Sequence, residues 1–168
     1  MGQSMADFRV RAFSVAAGIV ALDRITKWMI ERHVSFADDI KVIPGLFDIV
    51  HSENRGVAFG MFNESGSQWI TGLIVALSAA AVIGMSLALA RGRGVGQLTA
   101  WAYALILGGA AGNLYDRAVA GRVTDFLLFY VGEHQWPSFN VADSAIVVGC
   151  GLLLVDQLRP RRTTAHVS

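Results

Sequence analysis

The sequence contains few charged residues and a single cysteine. Only 16% of its 168 residues are charged, whereas soluble domains carry about 25%, so charged side chains are too few to cover a water-facing surface. One cysteine, Cys150, excludes an internal disulfide framework and a multi-cysteine metal cluster. A net charge of +1 without a basic stripe gives no indication of nucleic-acid binding. Since 54% of the residues are hydrophobic, the composition indicates an integral membrane protein.

Two long uncharged runs support this class of protein. They cover residues 67–90 and 94–115, and each is longer than the roughly 20 apolar residues that a membrane-spanning helix needs. Two weaker runs contain charges, because Asp23 and Lys27 interrupt the first and Asp143 lies in the last. We therefore predict four spans, at about 12–30, 67–90, 95–116 and 138–158. The apolar run near the N-terminus could instead be a signal peptide, which is the alternative for the first span.

Arginine residues indicate how the predicted spans are oriented. Positively charged residues concentrate on the cytoplasmic side of membrane proteins. With four spans, three clusters fall on one side: Arg9 and Arg11, then Arg91 and Arg93, then Arg159, Arg161 and Arg162. Both termini are therefore predicted to be cytoplasmic, and the two longer connections are predicted to lie on the outer side.

The first of these outer connections has the pattern of short strands. Residues 40–43 and 46–50 flank Pro44 and Gly45, a turn signal, and residues 57–62 could form a third strand. We predict a small β-sheet over about residues 38–62, on the outer membrane surface. The predicted fold class is an all-α polytopic membrane protein with this sheet added, as a single domain of residues 1–168.

Ionisable residues within the predicted spans are costly and mark functional sites by default. Asp143 lies about 24 Å along a helix from the cytoplasmic boundary at Arg159. The same estimate places Asp116 near the outer interface and Asp23 in the outer half of the ~30 Å hydrocarbon core. We therefore expect one site near the outer face. Asp23 and Lys27 are four residues apart and are expected to form an ion pair that neutralises the first span.

Two further groups of polar residues have helical spacing. Asn113 and Arg117 would share one face of the third span, with Asp116 beside them. Asn140 and Asp143 are three residues apart at the start of the fourth span, where Asn140 could either cap the helix or act in catalysis. Arg117 keeps its proton, so it requires a carboxylate or a substrate carbonyl as its partner.

The available side chains favour carboxylate chemistry. The sequence has no G-x-S-x-G or H-E-x-x-H motif and no histidines at ligand spacing, so no metal or cofactor is predicted. Asp125 and Asp143 form the natural pair because both are expected at the outer interface, and the alternative for Asp125 is an interfacial turn residue. Two carboxyl groups in a poorly solvated site cannot easily both ionise. One can then act as a base on water while the other protonates a carbonyl oxygen.

Five short motifs occur in order along the chain. They are D-R-I-T-K at 23–27, N-R-G-V-A-F at 54–59, G-G-A-A-G-N-L-Y-D-R at 108–117, V-T-D-F at 123–126 and F-N-V-A-D at 139–143. Together they resemble the motifs of bacterial lipoprotein signal peptidases, also called signal peptidase II. The resemblance implies an aspartyl endopeptidase of the bacterial inner membrane that removes signal peptides from prolipoproteins. It would cut just before a cysteine that carries diacylglycerol.

The resemblance also implies partners and residue roles. The implied partners are prolipoprotein substrates, membrane lipid and the inhibitor globomycin, and the protein is expected to be a monomer. Asp125 and Asp143 are implied to be the catalytic pair. The implied substrate-binding residues are Asn54, Gly56, Asn113, Arg117, Val123, Asn140 and Ala142, and structural support is implied for Asp23, Lys27 and Asp116.

Two other classes of function are open at this point. A small membrane transporter or proton channel could use Asp23, Asp116 and Asp143 as a relay, but it would distribute carboxylates through the membrane depth. A non-catalytic membrane adaptor could use the first outer connection as a docking surface. The substitution Asp143→Asn separates an enzyme from an adaptor, because it is expected to abolish the activity of an enzyme and to leave an adaptor folded and bound.

Overall fold

A computed structural model describes residues 5–54, 68–92 and 95–159. Within these ranges the chain is mostly helical, with a small antiparallel sheet. The elements are α1 (Met5–His33), β1 (Asp39–Ile43), β2 (Phe47–Asn54), α2 (Gln68–Arg91), α3 (Gln97–Ala120), β3 (Val123–Val131), β4 (His134–Gln135) and α4 (Val141–Leu158). The predicted strand at 57–62 lies outside the described residues, as do Gly56, Arg93, Arg161 and Arg162.

Helix α3 contacts each of the other three helices, and glycine residues allow it to approach two of them closely. A Cβ atom added at Gly108 would lie 2.7 Å from the carbonyl oxygen of Ala16 in α1. One added at Gly109 would lie 2.3 Å from the carbonyl oxygen of Ala142 in α4. Both distances are shorter than any real Cβ contact, so these helices meet backbone to backbone, as small residues permit in membrane proteins.

The outer surfaces of α2 and α4 are apolar. Leu77, Ile83, Val147 and Leu154 are between 59% and 70% exposed, a pattern unsuited to contact with water. Within the described residues, the stretches Gly72–Arg91 and Val141–Leu158 are long and apolar enough to cross a bilayer, judged by length and composition. The other two predicted spans lie on α1 and α3, which both contain buried charged residues.

The sheet has the strand order β1-β2-β3-β4 and is antiparallel throughout. Strands β1 and β2 form the hairpin that the sequence predicted, with Gly45 at a φ of +84° in the turn. The sheet also extends beyond the predicted segment 38–62, because β3 and β4 come from the connection between α3 and α4. The predicted sheet therefore covers only part of the observed one, which also includes residues after the third helix.

Strand pairing brings Asp125 towards the start of α4. Asp125 lies opposite Ser52 in the register of β2 and β3. On its other side, β3 is tied to Phe139, whose carbonyl oxygen accepts hydrogen bonds from the backbone of Phe126 at 3.0 Å and of Leu127 at 2.8 Å. Because Phe139 immediately precedes the first turn of α4, strand and helix meet at one place.

Candidate active site

Asp125 is a buried carboxylate on β3, with only 3% of its surface exposed. Its Oδ1 accepts a hydrogen bond from the side-chain amide of Asn140 at 2.7 Å, and its Oδ2 accepts one from that of Asn54 at 3.2 Å. Burial, and then the negative charge of Asp143, raise the pKa of Asp125 to about 6. Asp125 lies within a strand and is buried, so it is not the interfacial turn residue that the sequence left as an alternative.

Asp143 lies in the first turn of α4, within a capping box that it forms with Asn140. The backbone amide of Asp143 donates to Asn140 Oδ1 at 3.0 Å, and the backbone amide of Asn140 donates to Asp143 Oδ2 at 3.3 Å. The other carboxylate oxygen accepts from the side-chain amide of Asn113 at 2.7 Å. The predicted cap is thus confirmed, and it holds the Asp143 side chain in one orientation.

Asn140 connects the two carboxylates. It is completely buried, and its side-chain oxygen serves the cap while its side-chain nitrogen reaches Asp125. The same nitrogen lies 3.3 Å from Asn113 Oδ1 and 3.4 Å from the carbonyl oxygen of Thr124. The capping role and a role in the site, which the sequence left as alternatives, are therefore compatible in one side chain.

A second buried cluster lies below the carboxylate pair. The Lys27 ammonium donates to Asp23 Oδ2 at 2.7 Å, to Asp116 Oδ2 at 2.6 Å and to Asn113 Oδ1 at 2.9 Å. Lys27 and Asp23 are fully buried, and the predicted ion pair between them is confirmed. Asp116 also forms an ion pair with Arg24, whose guanidinium lies over the ring of a neighbouring tyrosine in α3.

The remaining predicted residues differ in their surroundings. The Nη1 of Arg117 donates weakly to the carbonyl oxygen of Asn113 at 3.4 Å, and its buried Nε has no hydrogen-bond partner within the described residues. Val123 and Ala142 are buried at 1% and 0% exposure, so their side chains contribute packing around the pair. The substrate-binding role predicted for Gly56 falls outside the described residues.

Two contributors were not singled out from the sequence. The Thr124 hydroxyl donates to Glu31 Oε1 at 2.7 Å and so ties β3 to α1 next to Asp125. Arg24 neutralises the second oxygen of Asp116. Adjacency to Asp23 in the first motif was the only sequence signal for Arg24, and a position beside Asp125 was the only one for Thr124.

The arrangement suits acid–base chemistry on a bound water molecule. Asp143 is partly exposed and Asp125 is buried, and one asparagine holds both. A buried carboxyl group with a raised pKa next to a second carboxyl group is the environment in which a pair shares a single proton. The close packing of α3 against α4 at Gly109 and Ala142 fixes the position of the helix turn that carries Asp143.

The fold is one that bacterial membrane enzymes share. One bacterial membrane enzyme solved by the in meso method superposes with a TM-score of 0.76 at 24% sequence identity, covering 91% of this chain and 93% of the other. A second superposes with a TM-score of 0.78 at 23% identity, covering 90% and 94%.

The family follows from the sequence comparisons. The model of the family described as signal peptidase (SPase) II matches residues 15–159. A lipoprotein signal peptidase of Solibacter usitatus is 56% identical over 164 residues, which cover 98% of this chain and all of the relative. One of Nitratidesulfovibrio vulgaris is 42% identical, covering 86% and 87%. The chain belongs to the signal peptidase II family, whose members are proteases of lipoprotein processing.

Proposed function

We propose that this protein is an aspartic endopeptidase that removes signal peptides from diacylglyceryl-modified prolipoproteins and cuts just before the lipidated cysteine. Family membership supports the coarser function, removal of signal peptides from prolipoproteins. The observation that carries the finer proposal is the pair Asp125 and Asp143, joined by hydrogen bonds through Asn140. No metal or cofactor takes part in the proposed reaction.

The reaction divides the work between two carboxyl groups that hold one proton. The ionised carboxylate takes a proton from water, and the water oxygen bonds to the scissile carbonyl carbon while the other carboxyl group donates its proton to the carbonyl oxygen. Collapse of the tetrahedral intermediate breaks the C–N bond, and the leaving amine takes up a proton from the pair. One hydroxyl group of the intermediate returns its proton to the pair as the new carboxyl group forms, so the pair again holds one proton. The pair titrates as a unit, so the proton belongs to Asp125 and Asp143 together.

The residues around the pair would bind the substrate backbone. Arg117 offers a buried Nε to a substrate carbonyl, and Asn54 lies directly beside Asp125. The proposed binding residues are Asn54, Gly56, Asn113, Arg117, Val123, Asn140 and Ala142, with Asp23, Lys27 and Asp116 as support. Globomycin is expected to bind at the same place, and the protein is expected to act as a monomer.

The proposed membrane arrangement has four spans in one domain of residues 1–168, within the bacterial inner membrane. Both termini would be cytoplasmic, and the carboxylate pair would face the outer side. A signal peptide carries its positive end in the cytoplasm, so its cleavage site emerges near the outer leaflet. The contacts of Asp23, Asp116 and Asp143 within one cluster also suit a single site better than a relay through the membrane.

Cysteine labelling tests this arrangement. Cys150→Ala supplies the background, and single cysteines then replace Lys41 in β1 and Arg159 after α4. A membrane-impermeant maleimide is added to spheroplasts before or after permeabilisation. The cysteine at 41 is expected to react in intact spheroplasts and the cysteine at 159 only after permeabilisation. Reaction of both from the outside would contradict the orientation.

Cleavage of a diacylglyceryl prolipoprotein peptide by the detergent-purified protein tests the reaction. Asp125→Asn and Asp143→Asn are expected to abolish cleavage while the proteins still unfold cooperatively. Asp39→Asn, an exposed carboxylate on β1, is the matched control and should cleave like the parent. Equal cleavage by all variants would refute the carboxylate mechanism. Binding of the lipidated peptide without cleavage by the parent would favour the adaptor.

A further inference from the structure

The hydrogen-bond partners of Asn113 are compatible with only one orientation of its side-chain amide. Its Oδ1 faces two donors, Lys27 Nζ at 2.9 Å and Asn140 Nδ2 at 3.3 Å, and its Nδ2 faces Asp143 Oδ1 at 2.7 Å. An ammonium group has donors and no acceptor. The atom of Asn113 that faces Lys27 must therefore be the oxygen, which leaves the two N–H groups on the side of Asp143.

The Lys27 ammonium is itself held in place from three sides. Its three donors meet three acceptors, Asp23 Oδ2, Asp116 Oδ2 and Asn113 Oδ1. Two carboxylates and two cations balance the charge of the cluster, since Arg24 pairs with the second oxygen of Asp116. The cluster is also tightly packed, because a Cβ atom added at Gly112 would lie 2.8 Å from Asp23 Oδ2.

The same cluster reaches α4 by a second route. The Oδ1 of Asp23 accepts a hydrogen bond from the backbone amide of Ala142 at 3.0 Å. That amide is one of the N–H groups at a helix start that have no partner within the helix. The first turn of α4, which carries Asp143, is thus bound to the Lys27 cluster through both its backbone and its side chain.

We propose that Lys27 is a positioning residue for catalysis, which orients the Asn113 amide so that it donates to Asp143. This inference rests on the proposed peptidase function and adds to it a role for a residue that does not touch the substrate. The Lys27 ammonium orients the Asn113 amide, which donates a hydrogen bond to one carboxylate oxygen of Asp143. The backbone amide of Asn140 donates to the other oxygen as part of the helix cap. The Asp143 carboxylate is therefore held in one orientation before the substrate arrives.

Loss of the ammonium has a predictable electrostatic effect. Burial and the charge of Asp143 raise the pKa of Asp125, and the positive charge of Lys27 acts against that rise. The charged groups that face the pair are Lys27 and Asp23 from α1 and Asp116 and Arg117 from α3. Without Lys27, the limb of the pH–rate profile that Asp125 controls is expected to move to higher pH, since the charged form of Asp125 loses support.

Lys27→Met removes the ammonium with little change of volume. We expect kcat to fall about tenfold or more, the scale found for partners that orient a ligating group, while KM changes little. The matched control is Lys41→Met, the same substitution at an exposed lysine on β1 outside the Lys27 cluster. It should keep the parent's kcat and pH profile.

A charge-balanced variant covers the case in which Lys27→Met does not fold. Asp23→Asn combined with Lys27→Met removes a buried ion pair together, which proteins tolerate far better than the loss of one partner. Cooperative unfolding in detergent identifies the variants to be assayed. A kcat loss with unchanged KM and a shifted pH profile in either folded variant supports positioning.

Other outcomes overturn the inference. Parent-like kcat in the folded variants, or equal losses in Lys27→Met and Lys41→Met, would reduce Lys27 to structural support. A loss confined to KM would place Lys27 in substrate binding instead. The parent and Asp143→Asn are assayed in parallel, so failure of the parent to cleave is recognised as failure of the proposed function.

Discussion

The backbone contact between α3 and α4 makes Gly109 the position where one methyl group should affect the reaction most. A Cβ atom there would lie 2.3 Å from the carbonyl oxygen of Ala142, whereas ordinary contact begins at 3.4 Å. The helices must therefore separate by about 1 Å if Gly109 becomes alanine, and Asp143 moves with the residue before it. A displacement of about 1 Å at a reacting group can cost about 100-fold in rate.

The expected result for Gly109→Ala has two parts. The free energy of unfolding in detergent should fall by about 1–3 kcal/mol, the usual cost of overpacking. The kcat for a lipidated peptide should fall by about 100-fold, beyond what any loss of folded protein explains. Thermal unfolding of the purified variant and cleavage assays at saturating peptide measure the two quantities on the same sample.

Gly151→Ala is the matched control on α4. A Cβ atom at Gly151 has no neighbour within 4 Å, so alanine should leave the rate unchanged and can slightly stabilise the helix. Full activity of Gly109→Ala with unchanged stability would refute the close approach of the two helices. Equal losses in both variants would show that contact with Ala142 does not set the effect.

Three further predictions concern single side chains. Asp125 has a pKa of about 6 in the folded protein, above the 3.8 of an unperturbed carboxyl, so the folded state keeps a proton that the unfolded chain releases and stability falls as pH rises between these values. Asp125→Asn should therefore raise the free energy of unfolding by up to about 3 kcal/mol at pH 8 and by little at pH 4. Asn140→Ser should keep the helix cap but lose cleavage, while Asn140→Ala should lose cleavage and about 1 kcal/mol of cap stability. Arg122→Gln breaks an exposed ion pair with Glu53 and should cost less than about 1 kcal/mol, with cleavage unchanged.

Each of these predictions has a contrary result. A stability gain in Asp125→Asn that is equal at both pH values would contradict the raised pKa. Parent-like cleavage by Asn140→Ser would show that its link to Asp125 is dispensable. A large loss of stability in Arg122→Gln would contradict the small contribution expected of a solvated ion pair. Denaturation in detergent and peptide cleavage provide all the measurements.

Local patterns in the sequence predicted the local parts of the fold. Pro44 and Gly45 between two apolar runs indicated the hairpin, and the spacing of Asp23 and Lys27 indicated their ion pair. The cap at Asn140 followed from its place before an apolar run. Each of these features depends on residues within a few positions of one another, so hydrogen-bonding and helical geometry were enough to identify them.

Contacts between distant segments could not be predicted in the same way. Strand β3 pairs with β2, although α2 and α3 separate the two strands in the sequence. The residues of β3 do not indicate which strand they pair with. The contact of Lys27 with Asn113 depends on how α1 is rotated about its axis relative to α3. Sequence spacing fixes which residues share a helix face, but not which neighbouring helix that face meets.

The contribution of both halves of the chain to one site has a consequence for how the protein is made. Lys27 and Asn54 come from the part before α2, and Asp125 and Asp143 from the part after it. A nascent chain that has delivered only its first two helices to the membrane therefore holds no complete site. Under the proposed function, cleavage therefore requires α4, which carries Asp143, to have packed against the rest of the fold.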